Sequence, residues 1–113
     1  MKINCIVKRP DEKYGHMTAI SDTLENLQRT VGGYIEPVTL GEVERDGKQI
    51  DIVLLCDEDG KMFNKPKNII LNWDIIVGDV VIVGADGEDF CDIPITFAEW
   101  REMLPKIDRG WEW

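Results

Sequence analysis

The residues of this chain that could do chemistry are few and far apart. His16 is the single histidine, which removes the HExxH zinc helix, histidine-rich metal clusters and any mechanism needing two imidazoles. A thiol nucleophile would have to come from Cys5, Cys56 or Cys91, and each stands inside an apolar, strand-like run where cysteine is buried and inert. An odd number of thiols without CxxC spacing reads as free cysteine in a reducing cytoplasm. The run Asp57-Glu58-Asp59 carries enough charge to attract a divalent ion, but a calcium loop needs further oxygen ligands at regular offsets and this run stops at Gly60. A solvated turn is expected there. Walker-type and GxGxxG glycine loops are absent, and no spacing among the 22 acidic residues singles out a hydrolytic pair. No catalytic residue, metal ligand or cofactor is therefore assigned. The chain reads as a non-enzymatic binding protein, with an unrecognised hydrolase left as an alternative.

Two segments could bind. Gly32-Gly33-Tyr34 follows a helical pattern, where glycine supplies a left-handed C-cap. Alternatively, small residues there let a nucleotide-like ligand approach the backbone, with Tyr34 stacking, Gln28 or Glu36 hydrogen bonding, and Arg29, Lys65 or Lys67 meeting phosphate. The second segment is the C-terminal stretch, where Trp111 and Trp113 either dock on the sheet or face a partner protein.

The elements that must position these residues follow from hydrophobic period and turn chemistry. Residues 2–8 are β-branched and apolar and predict an opening strand, closed by Pro10; the stretch to about residue 20 predicts a loop or irregular strand. Ser21 and Asp22 offer an N-cap, with Glu25 at capping-box spacing from Asp22, and Leu24, Leu27 and Val31 share one helical face until Gly32-Gly33. Residues 34–40 and 43–45 read as strand, Asp46-Gly47 as a two-residue hairpin turn, and 49–56 as the return strand, apolar enough to be the middle of the sheet. Residues 61–73 predict a short helix or a loop, 75–83 one strand, and Asp86-Gly87 a second turn after which 90–93 pair back. Thr96 and Glu99 form a capping box, with Ile95 and Trp100 as a staple, for a second helix over 97–104 that Pro105 limits. The fold class expected is α+β, a single mixed, largely antiparallel sheet of about five strands with two helices on one face.

At 113 residues the chain fits one domain, residues 1–113. Its formal charge of −9 disfavours direct binding to nucleic acid or an anionic membrane. No stretch approaches the ~20 apolar residues that span a bilayer, and the first residues charge too early for a signal peptide, so a cytoplasmic protein is expected. Unpaired strand edges leave a homo-oligomer open.

The string Leu27-Gln28-Arg29-Thr30-Val31-Gly32-Gly33-Tyr34-Ile35-Glu36 resembles the signature of the domain of unknown function three-eight-four-six family, small proteins of phages and mobile elements. The acidic turn 57–60, the step Pro66-Lys67-Asn68 and the run 76–84 look similar too, so the likeness covers roughly residues 25–85. Cys56-Asp57 stands where the family tends to place an asparagine, and the aromatic tail has no counterpart. The resemblance implies a setting: a phage or mobile-element accessory protein in the bacterial host cytoplasm, binding a host factor or signal as an anti-defence protein would. Two mechanisms compete: an acidic face that mimics nucleic acid or docks on a host protein, using the surplus carboxylates with Trp111 and Trp113, and sequestration of a small nucleotide-like ligand.

Overall fold

The computed structural model describes residues 1–111. Its elements run β1 (Lys2–Lys8), β2 (His16–Ser21), α1 (Leu24–Val31), β3 (Ile35–Arg45), β4 (Lys48–Asp57), β5 (Lys67–Ile70), β6 (Ile75–Val77), β7 (Val80–Asp86), β8 (Asp89–Cys91) and α2 (Phe97–Ile107). Six strands form one sheet in the order β2-β1-β7-β4-β3, with β8 also paired to β7, while β5 and β6 form a separate hairpin. Every pairing is antiparallel.

The sheet is organised by β7. Its run Val80-Val81-Ile82-Val83 is apolar at every position, and side chains alternate between faces, so both faces must be covered. Val80 and Ile82 join a core with Leu54, Ile69, Trp100 and Leu104, under α2. Val81 and Val83 join another with Cys5, Leu27, Leu55 and Val31, under α1. The two helices, expected on one face, thus pack on opposite faces of the expected antiparallel sheet. The return strand expected at its centre, β4, lies one place off it, between β7 and β3. A continuous apolar run reports burial on both faces, which β4 and β7 share; it carries no pairing order.

Local chemistry accounts for the other boundaries. Asp46 and Gly47 both take positive φ (54° and 75°), as the tight β3–β4 turn requires. Helix α1 is capped by Thr23, whose hydroxyl accepts from Asn26 N, rather than by Asp22, whose N–H donates to Met1 O as the β1–β2 ladder ends. The expected single strand 75–83 is two, because Gly78 at φ 76° turns the chain and donates its N–H to Pro66 O. Residues 61–73, expected as helix or loop, hold a turn and then β5, which among the described residues pairs with β6 alone. Pro105 lies inside α2, not at its end. Proline has no N–H to offer the preceding turn, but the N–H of Asp108 still donates to Leu104 O and closes the helix end.

The β5–β6 hairpin is fastened to the sheet by a buried polar knot. Lys8 is 1% exposed, and its Nζ donates to Asn68 Oδ1 at 2.7 Å. Asn68 Nδ2 donates in turn to the carbonyls of Lys8 (2.9 Å) and Gly78 (2.8 Å). Burial pulls the Lys8 ammonium below the usual lysine range, against the fields of Asp108, Glu12 and Asp11. Asn68→Ala strands two carbonyls and leaves the Lys8 ammonium its long bond to Arg9 O (3.5 Å), and is expected to lower the unfolding free energy by about 3 kcal/mol. Urea denaturation at unchanged m-value measures it; a loss below about 1 kcal/mol would show that Asn68 is replaceable.

Candidate functional site

The glycine segment singled out in the sequence is built around one lysine. Gly32 caps α1 in the left-handed region, and the N–H groups of Gly32 and Gly33 both donate to Gln28 O at 2.8 and 3.1 Å. Lys65 reaches this helix end from the other side. Its Nζ donates to Val31 O (3.1 Å) and Gly32 O (3.3 Å) and lies 2.7 Å from Asp57 Oδ2, whose side chain is only 2% exposed. Burial raises the Asp57 carboxyl, but the Lys65 ammonium and the Asp59 N–H outweigh it and hold the group below the usual carboxylate range.

Glycines make room for this contact. A Cβ on Gly33 would collide with the Asp57 carboxylate, and one on Gly78 would lie 2.8 Å from Lys65 Cδ. Gly60 is closed in the same way, by Val77 at 2.8 Å. The motif-bearing glycines therefore let a long cationic side chain run from the surface to a buried acid. The end of a helix that exposes carbonyls carries partial negative charge, so a cation belongs there and a phosphate does not.

The sequence-derived residues divide between two places. Arg29, Gly32 and Lys65 line a cleft of about 270 Å³ together with Pro10, Pro66 and Asp79. Glu36 lines a different one, about 190 Å³, with Cys56, Glu58, Lys61 and Asp74. Gln28, Tyr34 and Lys67 line neither; Tyr34 and Lys67 are exposed, and Gln28 contributes its carbonyl to the cap. Arg29 is paired with Glu25 at 2.9 Å and with Asn26.

A feature without motif or period lies at the same end of the sheet. Tyr34 is 67% exposed, Met62 72%, Phe63 67% and Trp73 65%. The backbone brings them together: Glu58 N donates to Tyr34 O, Phe63 N to Asp59 O, and Leu71 N to Asp74 O across the tip that carries Trp73. Lys61 pairs with Asp74 and ties the 61–64 turn to that tip. Glu58 and Asp59 are the backbone partners of Tyr34 and Phe63, and Glu36 and Glu58 line the small cleft beside Lys61 and Asp74. The sequence offered only isolated aromatics in loops here, so turn geometry and not spacing assembles the patch.

Trp111 is half-buried, packing against the α2 core with its ring 5.2 Å from Tyr14 and Lys13 Nζ 5.5 Å above it. Trp113 lies outside the described residues. Burial, then the Glu36 charge, pushes the Cys56 thiol up to about 12, and burial with Asp92 pushes Cys5 to about 11, which keeps both protonated at neutral pH. Among the described residues, no cluster of His, Cys, Asp or Glu could hold a metal ion, and no helix is long and apolar enough to cross a membrane.

A family model described as "Domain of unknown function (DUF3846)" matches residues 1–104. No curated protein and no solved structure matches the chain.

Lys65→Met is expected to cost about 3 kcal/mol at neutral pH, since it leaves Asp57 charged and unpaired in the interior. Because the folded Asp57 pKa is depressed, the pair's contribution is complete above the ordinary carboxylate range and is lost as pH falls through the folded value. The gap between wild type and Lys65→Met should therefore close in acid, and Gly33→Ala should cost far less beside Asp57→Ala than alone. Chemical denaturation across pH tests both; a gap that persists unchanged below the carboxylate range would contradict the pairing.

Proposed function

The chain belongs to the DUF3846 family, and on that premise we propose that it is a non-enzymatic binding protein that docks on a host protein through the aromatic end of its sheet. The observation that carries this reading is the concentration of Tyr34, Met62, Phe63 and Trp73, each about two-thirds exposed or more, at one end of the molecule. Large apolar side chains gathered on a surface mark interaction sites, and tryptophan and tyrosine dominate binding hot spots. Glu58 and Asp59 are backbone neighbours of this group and Glu36 lines the adjoining cleft, so the partner surface that fits is an apolar socket with a basic rim. A second copy of this chain, at −9, does not supply that rim.

The setting proposed is the one its resemblance implies: a phage or mobile-element accessory protein acting in the bacterial host cytoplasm, with anti-defence as the role. The competing reading, a nucleotide-like ligand held near Gly32, Gly33 and Tyr34 with phosphate on Arg29, Lys65 or Lys67, has less support. The Lys65 ammonium is already shared among Asp57 and two helix-end carbonyls, and Arg29 is paired with Glu25.

Trp73→Ala and Phe63→Ala alter exposed side chains and should change stability by less than about 0.5 kcal/mol. Each should weaken partner binding by about 2 kcal/mol, near thirtyfold. Immobilised wild-type protein should retain from bacterial lysate a basic protein that elutes as salt is raised and that the double variant does not retain. Equal retention by both would overturn the aromatic end as the docking surface. Nucleotide-dependent thermal stabilisation abolished by Arg29→Ala would favour the small-ligand reading instead.

A further inference from the structure

The other end of β3 presents a second, differently built surface. β3 is the last strand of the sheet, paired only with β4. Its first half is closed to further pairing, since Pro37 has no N–H to donate and the register shifts between Thr39 and Gly41. Beyond that bulge residues 41–45 pair with 48–52 in unbroken register, and among the described residues their outer edge has no partner strand.

The two faces of this free edge differ. On one, Gly41 and Val43 stand opposite Ile52 and Ile50, above a groove of about 420 Å³ that Ile95, Met103 and Ile107 complete from the α2 side, with Glu99, Glu102 and Lys106 also lining it. A Cβ on Gly41 would meet nothing within 4 Å, so the groove floor is open. On the other, Glu42 stands directly opposite Asp51, a like-charge pair, and Glu44 follows opposite Gln49. Among the described residues the carboxylates of Glu42, Glu44 and Asp51 make no ion pair or hydrogen bond. Of the nearby cations, Arg45 pairs with Glu99 and Lys48 with Asp86, while Lys106 lines the groove on the α2 side beside Glu99 and Glu102.

We propose that the edge formed by residues 41–45 receives an extended segment of a partner protein in which aliphatic residues alternate with lysine or arginine. Strand addition satisfies the unpaired backbone groups. Alternation sends aliphatic side chains into the groove and cationic ones over Glu42, Glu44 and Asp51. A second copy of this edge would set carboxylate against carboxylate, so the charge favours a basic segment over self-pairing. The inference does not rest on the aromatic end, which lies at the start of the same strand.

The test uses the full chain and a capped heptapeptide alternating valine and lysine, with the same peptide carrying glutamate in place of lysine as its control. Amide NMR titration should move residues 41–45 and the side chains of Met103 and Ile107 with the lysine peptide only. Glu42→Lys with Glu44→Lys should weaken that peptide by about tenfold and admit the glutamate peptide, and Gly41→Val, which fills the floor, should weaken both. Equal affinity for the two peptides, shifts confined to other surfaces, no binding at millimolar peptide, or concentration-dependent dimerisation through this edge would each overturn the proposal.

Discussion

One buried ion pair fixes the arrangement from which the rest of this surface follows. Lys65 and Asp57 meet at 2.7 Å beneath the last turn of α1, and Asp57 is nearly without solvent. Isolated, that carboxylate would be strongly unfavourable in the interior; paired, it holds three separate pieces of chain against one another. The helix end is joined through Val31 and Gly32, the acidic turn through Asp57 and Asp59, and the start of the β5–β6 hairpin through Lys65 itself. Gly33 and Gly78 are the spaces this contact demands. Because the turn and the hairpin are pinned in this way, Met62, Phe63 and Trp73 are held outward at one end of the molecule instead of collapsing on the core.

Much of this was legible in the residues and some was not. Thr96 and Glu99 were read as a capping box and form one; Asp46-Gly47 was read as a hairpin turn and is one. Both signals are local, decided within four residues by hydrogen bonding or by positive φ. The amphipathic pattern of Leu27 and Val31 was likewise enough to place α1. Which face of the sheet each helix covers was not legible, since the parity of Val80 to Val83 offers two equal apolar faces. Nor was the β5–β6 pairing, because Ile69 and Ile76 belong to a hairpin held by Asn68 and Lys8 across sixty residues of chain. The glycine segment could be read as a cap or as a ligand site; it does cap α1, and the Lys65 contact beside it is one that no spacing encodes. The aromatic end was missed because its members share proximity and nothing in sequence.

The charge of the chain acquires meaning only against this geometry. Thirteen basic residues balance part of the acid, and several are committed: Lys65 to Asp57, Lys61 to Asp74, Lys48 to Asp86, Arg45 to Glu99. Among the acids without an ion pair are Glu36 and Glu58 near the start of β3 and Glu42, Glu44 and Asp51 along its free edge. Charge of this sign suits the basic partner surface proposed above, and its contribution would fall with salt.

The most direct measurement is nitrogen-15 NMR of the Lys65 ammonium in the intact protein, followed while nucleotides are added. The account predicts a slowly exchanging ammonium signal at neutral pH that vanishes in Asp57→Asn and is unmoved by millimolar nucleotide. An ammonium in fast exchange with water, or one that shifts together with Arg29 as nucleotide binds, would contradict it and return the glycine segment to a ligand.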